Sequence, residues 1–113
     1  MRKTSLLLFL DNIKLFIHMN ANNLRLVCTC GACPEQFDVY SDENELVGYI
    51  RFRWGHLQCR PQNQDGIDFD TIVYAWSCDD GWAGIIPGDV REEVLENCKQ
   101  ALAKYYTEKQ ATT

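Results

Sequence analysis

The sequence predicts an α+β domain, an antiparallel meander of about five strands with one long C-terminal helix on its apolar face. Two patterns lead there. Between residues 24 and 76, short stretches alternate apolar and polar side chains, the period of a half-buried strand. From Val90 onward, Val94, Cys98, Leu102 and Tyr105 recur at helical spacing and form one stripe. Strands followed by a helix make a two-layer domain.

The elements follow in chain order. Residues 1–18 read as an extension. Leu6, Leu10, Ile13 and Ile17 carry a candidate short amphipathic helix. The stretch resembles a secretory signal, with Arg2 and Lys3 before Leu6–Leu10. Asp11 breaks that run, and no small-residue cleavage site follows. It is also too short to span a bilayer. Met19 is a second candidate start, so the folded domain is expected over 19–113 and the location in the bacterial cytoplasm.

The first strand is "LRLVCTC" (24–30), with Leu24, Leu26, Cys28 and Cys30 on one face. "EQFDVY" (35–40) turns Phe37 and Val39 inward, and "SDENE" is a polar turn. "LVGYIRFRW" (46–54) puts Gly48, Ile50, Phe52 and Trp54 on one face and Tyr49, Arg51 and Arg53 on the other. Gly55-His56 suits a two-residue hairpin turn. "LQCRP" returns and ends at Pro61, which cannot donate to a ladder. "QNQDGIDFD" reads as loop, "TIVYAW" (71–76) as the fifth strand and "DDGWAGIIPGD" as a second loop. Asp89 then caps the helix, with Glu92 completing a capping box. Acids come early in the helix and lysines late, as the helix dipole favours.

The chain of 113 residues fits one domain, and its composition excludes disordered and fibrous classes. The net charge is −5, and residues 35–96 hold fourteen carboxylates against four arginines. Such a segment repels nucleic acid at long range and attracts basic proteins. The candidate partner-binding residues are Asp42, Glu43 and Glu45; Asp65, Asp68 and Asp70; Asp79 and Asp80; Glu92, Glu93 and Glu96.

Cys28, Cys30 and Cys33 crowd six positions. Cys30-Gly-Ala-Cys33 has the spacing of a metal knuckle, and Cys28 lies on the same expected strand face. Three thiolates begin a tetrahedral, structural zinc site. Cys98 is the candidate fourth ligand, with Cys78, Cys59 and His56 as alternatives. Buried reduced cysteines and a disulfide are the competing readings. A redox C-x-x-C opens a helix in a βαβ unit, whereas here a proline and a strand follow.

If Gly55-His56 is the turn, Arg51 stands opposite Arg60, a like-charge pair that needs an acid or an anion to offset it. Arg25, Arg51, Arg53 and Arg60, with Tyr40 and Tyr49 beside them, make a nucleic-acid-binding face the alternative reading. No catalytic residue is expected. The chain has two histidines, no nucleophile motif and no phosphate loop.

"CGACPEQFDVY", "ELVGYIRFRWGHLQC", "VYAW" and the late Asp80-Gly81 resemble a family of small proteins encoded by phages and prophages of Gram-positive bacteria. The shared patterns are C-x-C-G-A-C-P-E-Q-Y/F and V-G-Y-x-R-x-R-x-G. The matching positions are Cys28–Gln36, Val47–Gly55 and Asp80–Gly81, within a similarity running roughly from 24 to 108. Cys59, Cys78 and Cys98 lie outside those patterns. The resemblance implies a phage setting and no catalytic residues. In that setting a small acidic protein is expected to inhibit bacterial defence, most concretely as an anti-CRISPR protein that binds a Cas nuclease and blocks DNA loading. A zinc-stabilised structural phage component is the remaining alternative.

Overall fold

The computed structural model describes residues 20–30, 34–63 and 65–111. After a single 3-10 turn at Ala21–Asn23 come β1 (Arg25–Cys30), β2 (Glu35–Tyr40), β3 (Leu46–Arg53), β4 (His56–Asn63), β5 (Gly66–Ile67), β6 (Tyr74–Ser77) and α1 (Arg91–Ala111). The strands form one antiparallel sheet in the order β1-β2-β3-β4, with β5 and β6 both pairing with β4. The α+β meander with a C-terminal helix is therefore the fold. The helix expected over residues 1–18 lies outside the described residues.

Strand register explains the layers. Cys28, Phe37, Ile50, Cys59 and Tyr74 form one row across the sheet. Glu35, Phe52, Leu57 and Trp76 form the next row toward one end; Val39, Gly48 and Pro61 form the next toward the other. α1 runs across these rows, roughly along the strands. Arg91 meets Glu35, Cys98 meets Cys59, Leu102 lies over Gly48, and Tyr106 reaches Val47 and Gln62. Four helical residues advance about 6 Å and two strand residues about 6.7 Å, so successive helical turns stay nearly in step with successive rows. Phe37, Val39, Ile50, Phe52, Leu57, Val94, Cys98 and Leu102 fill the buried layer between.

The hairpin turn between β3 and β4 sits one residue earlier than expected. Trp54 and Gly55 take φ of 56° and 75°, the left-handed pair of a type I′ turn. This moves the pairing by two residues. Arg51 faces Gln58, Arg60 faces Tyr49 and Arg53 faces His56, so the expected Arg51–Arg60 opposition does not occur. Gly55 also needs to be glycine for space, since a Cβ there would lie 2.5 Å from the Asp80 carbonyl oxygen.

Four further boundaries differ, each for a physical reason. β4 runs through Pro61 to Asn63 because Pro61 turns its backbone polar side away from β3; its carbonyl accepts Asp68 N–H at 2.9 Å. The expected loop after β4 contains the two-residue β5. The last strand begins only at Tyr74; before it, Val73 N–H bonds the Cys59 carbonyl. α1 starts at Arg91, beyond the expected Asp89 cap, and the Val90 carbonyl takes the bond from Val94 N–H.

The inward tyrosine is Tyr106 rather than Tyr105. Its hydroxyl lies 2.7 Å from the Val47 carbonyl and 2.8 Å from that of Gln62, and accepts Gln62 N–H at 3.0 Å. Burial pushes this hydroxyl well above the ordinary value of 10.0. The unfolded chain ionises the same group near pH 10. The stability it contributes is therefore whole below pH 10 and falls as pH rises from there through the raised folded value. We expect Tyr106→Phe to cost about 1–3 kcal/mol at neutral pH. It should also remove part of the alkaline loss, measured by urea titration from pH 7 to 11.

Candidate functional site

The acidic residues do not gather on one face. Asp42, Glu43 and Glu45 project from the β2–β3 turn, where buried Ser41 accepts Glu43 and Glu45 N–H through Oγ at 3.2 Å each. Asp65 and Asp70 are exposed after β4, at the same end of the sheet. Asp79, Asp80, Glu92 and Glu93 are exposed at the opposite end, the length of β3 away, roughly 23 Å. Asp68, Asp80 and Glu96 take internal hydrogen bonds, Asp80 from Trp82 N–H at 2.9 Å. Asp68 accepts Asp70 N–H at 3.1 Å and the Thr71 hydroxyl at 2.8 Å. Glu96 pairs with Lys99 at 3.4 Å and accepts Gln100 Nε2 at 3.0 Å. Apart from Glu96, none of the eleven forms an ion pair with any described residue.

The sheet face away from α1 carries the arginines. Arg25 stacks on Tyr40, its guanidinium 5.1 Å from the ring centroid, and donates to Asn44 Oδ1 at 2.8 Å. Arg60 donates to the Phe69 carbonyl and to Gln58 Oε1. Arg53 lies 5.4 Å from the Trp54 ring. Arg51 Nε is buried without a hydrogen-bond partner among the described residues. Burial raises the Tyr49 hydroxyl above its ordinary value although Arg51 opposes the shift. None of these four arginines forms an ion pair with a described carboxylate.

The end that carries Asp79 and Asp80 has a further feature, which no local sequence pattern marks. The loop after β6 folds back on the Trp54-Gly55 turn. Cys78 N–H bonds the Gly55 carbonyl and Gly55 N–H bonds that of Ala83, both at 2.9 Å. Asp80 Oδ1 accepts Trp82 N–H at 2.9 Å. The loop thereby sets Trp82 edge-on against Trp54, with ring centroids 5.9 Å apart. Trp54 is 50% exposed and Trp82 83%. Asp79, Asp80 and Ala83 of the same loop line an open cleft of about 540 Å³ together with Trp76, Asp89 and Val90; neither Trp54 nor Trp82 is part of its lining.

No family model, curated protein or solved structure matches this chain.

The cysteines divide into separate places. A β-bulge between Cys28 and Cys30 leaves Thr29 unpaired. Cys28 stands opposite Phe37 and Cys30 opposite Gln36, so the two point to opposite faces rather than sharing one. Cys33 lies outside the described residues. Cys98 is buried against Cys59, in the row of Cys28 but three strands away, roughly 14 Å. Zinc ligands lie ~2.3 Å from the ion, so Cys98 is too far to complete a site with Cys28. Of the expected set, Cys28, Cys30 and Cys98 are not brought together, and Cys33 lies outside the described residues. Among the described residues no three His, Cys, Asp or Glu side chains form a metal-holding group. Cys98 serves the core instead.

The contact with Cys98, together with burial, pushes the Cys59 thiol well above its ordinary value. Thiolates are the reactive species. In folded protein, iodoacetamide should label exposed Cys28 and spare Cys59 and Cys98 until denaturant is added, read by peptide mass mapping.

The buried carboxylate of Glu35 was also unforeseen. It is 3% exposed, accepts Ile86 N–H at 3.0 Å and pairs with Arg91 through both of its oxygens. Its clue in the sequence was its place in the inward phase of β2, with Phe37 and Val39. It fastens the loop and the start of α1 to the sheet and so holds the Trp82 end in shape. No described helix is long and apolar enough to cross a membrane.

Proposed function

We propose that this protein is a non-enzymatic binding protein that engages a basic surface of a nucleic-acid-handling protein. Its most concrete form is an anti-CRISPR-like inhibitor that blocks DNA loading by a Cas nuclease. The observation that supports this is the set of exposed carboxylates without cationic partners among the described residues. A folded domain gains solubility from such charge, and also a field that steers basic partners toward it. A Cas effector holds nucleic acid in a positively charged channel, and an acidic domain competes for that channel.

The test is a nuclease-treated pull-down with purified Cas effector, followed by gel filtration. A stoichiometric complex is expected, weakened by salt. Neutralising the acids in two sets separates the ends: Asp42→Asn/Glu43→Gln/Glu45→Gln, and Asp79→Asn/Asp80→Asn/Glu92→Gln/Glu93→Gln. If neither set weakens the complex, the acidic reading is wrong.

One observation favours a second reading. The arginines of the open sheet face also lack carboxylate partners, and Arg51 Nε is buried and unbonded among the described residues. Retention that requires intact nucleic acid and drops in Arg51→Gln and Arg53→Gln would make that face the working site.

A further inference from the structure

We infer that the Trp54–Trp82 pair is a docking surface for a basic protein segment. A lysine or arginine of that segment lays its aliphatic stem along the indoles and places its charged head among Asp79, Asp80 and Asp89. This rests on the protein-binding reading above and locates its contact at one end of the sheet.

The aromatic pair carries the argument. Exposed tryptophans are rare on surfaces that bind nothing, and tryptophan and arginine dominate the energetic centres of protein interfaces. Here two stand together, and the fold works to hold them out. Trp54 occupies a left-handed turn position that favours Asn or Gly and that a bulky residue takes only with strain. Asp80 takes the Trp82 N–H and so fixes the loop that presents its ring. Neither ring belongs to the buried core.

Charge selects the occupant. Three carboxylates line the cleft that Asp80 and Ala83 of the Trp82 loop help form; Arg91, next to the lining residue Val90, is held by Glu35, and Arg53 already lies over the Trp54 ring. That contact shows an indole of this pair taking a cation on its face, while Trp82 remains open. A phosphate backbone meets net negative charge here, and a purely apolar partner would leave the carboxylates facing a desolvated surface. A long basic side chain satisfies both parts, with its stem on the rings and its head at the acids.

The probe is a short fluorescein-labelled peptide of alternating lysine and leucine, with a glutamate–leucine peptide as control, read by anisotropy. The lysine peptide should bind saturably and the control should not. Trp82→Ala and Trp54→Asn should each weaken binding about tenfold. Trp54→Asn suits the type I′ turn, so its thermal midpoint should hold or rise, which separates lost binding from lost folding. Asp79→Asn/Asp80→Asn should weaken binding and flatten its salt dependence, while the triple change at Asp42, Glu43 and Glu45 should leave it unaltered.

Unchanged affinity in Trp82→Ala and Trp54→Asn, with loss in the triple variant, overturns the docking surface but keeps the acidic protein-binding reading. No binding of the lysine peptide by any form overturns both. Concentration-dependent self-association in sedimentation, abolished by Trp82→Ala, also overturns the proposal, because a second copy would then be the occupant.

Discussion

Arg91→Ala should destabilise the fold more than any surface change, by about 3 kcal/mol, the lower end of the range for breaking a buried ion pair. The lower end applies because the partners differ in exposure: Glu35 is 3% exposed and Arg91 36%. Water partly solvates the guanidinium already, but the carboxylate has no such access. Without Arg91 it keeps only the Ile86 N–H at 3.0 Å. A charge left in that position must be neutralised or hydrated, and either route opens the start of α1. The double variant Glu35→Gln/Arg91→Leu should recover most of the loss. Glutamine still offers an oxygen to Ile86 N–H and no longer needs a cation. Urea unfolding of Glu35→Gln, Arg91→Leu and the double gives the coupling directly. Equal losses in Arg91→Ala and the double variant would show that the buried charge is not what Arg91 offsets.

The second large effect belongs to the contact between α1 and β3. A Cβ on Gly48 would lie 2.6 Å from Leu102 Cδ1, 3.0 Å from Cδ2 and 3.2 Å from the Arg60 carbonyl oxygen. Gly48→Val adds a branched side chain where the helix already touches the sheet. Overpacking of this kind costs about 1–3 kcal/mol. Leu102→Ala, at a fully buried position, should cost about 2–5 kcal/mol through the cavity it leaves. The two should compensate in part when combined, since the valine fills what the leucine vacates. A domain of this size has roughly 5–15 kcal/mol in total, so both single variants should lower the thermal midpoint by several degrees. If the double variant loses the full sum, the two sites do not share one space and the close approach at Gly48 is wrong.

Alternation was enough to place β2 and β3. Glu35, Phe37 and Val39 against Gln36, Asp38 and Tyr40 define β2 to the residue, and Gly48, Ile50 and Phe52 mark the face that meets the helix. The helical stripe was equally legible through Val94, Cys98 and Leu102, which the structure buries. The same periodicity misjudged Tyr105 for Tyr106, because with 3.6 residues per turn either of two adjacent positions can close a stripe. It also misjudged Cys30, because a bulge at Thr29 reverses every side chain beyond it and leaves no mark in the pattern.

What the sequence determined by itself was therefore the local: which stretches extend, which stretch coils, which face of each is apolar, and that charge is concentrated as acid. Those properties follow from side chains one to four residues apart. The meeting of distant residues came from the three-dimensional packing alone. The Trp54-Gly55 turn, one residue from the place expected, set the register that separates Arg51 from Arg60. The fold-back of the loop after β6 brought Trp82 to Trp54 across 28 positions. The sheet spread Cys28 and Cys98 apart and sent the acids to opposite ends. Contacts of that range depend on strand order, turn position and loop closure, which the whole buried layer selects together and no single segment encodes.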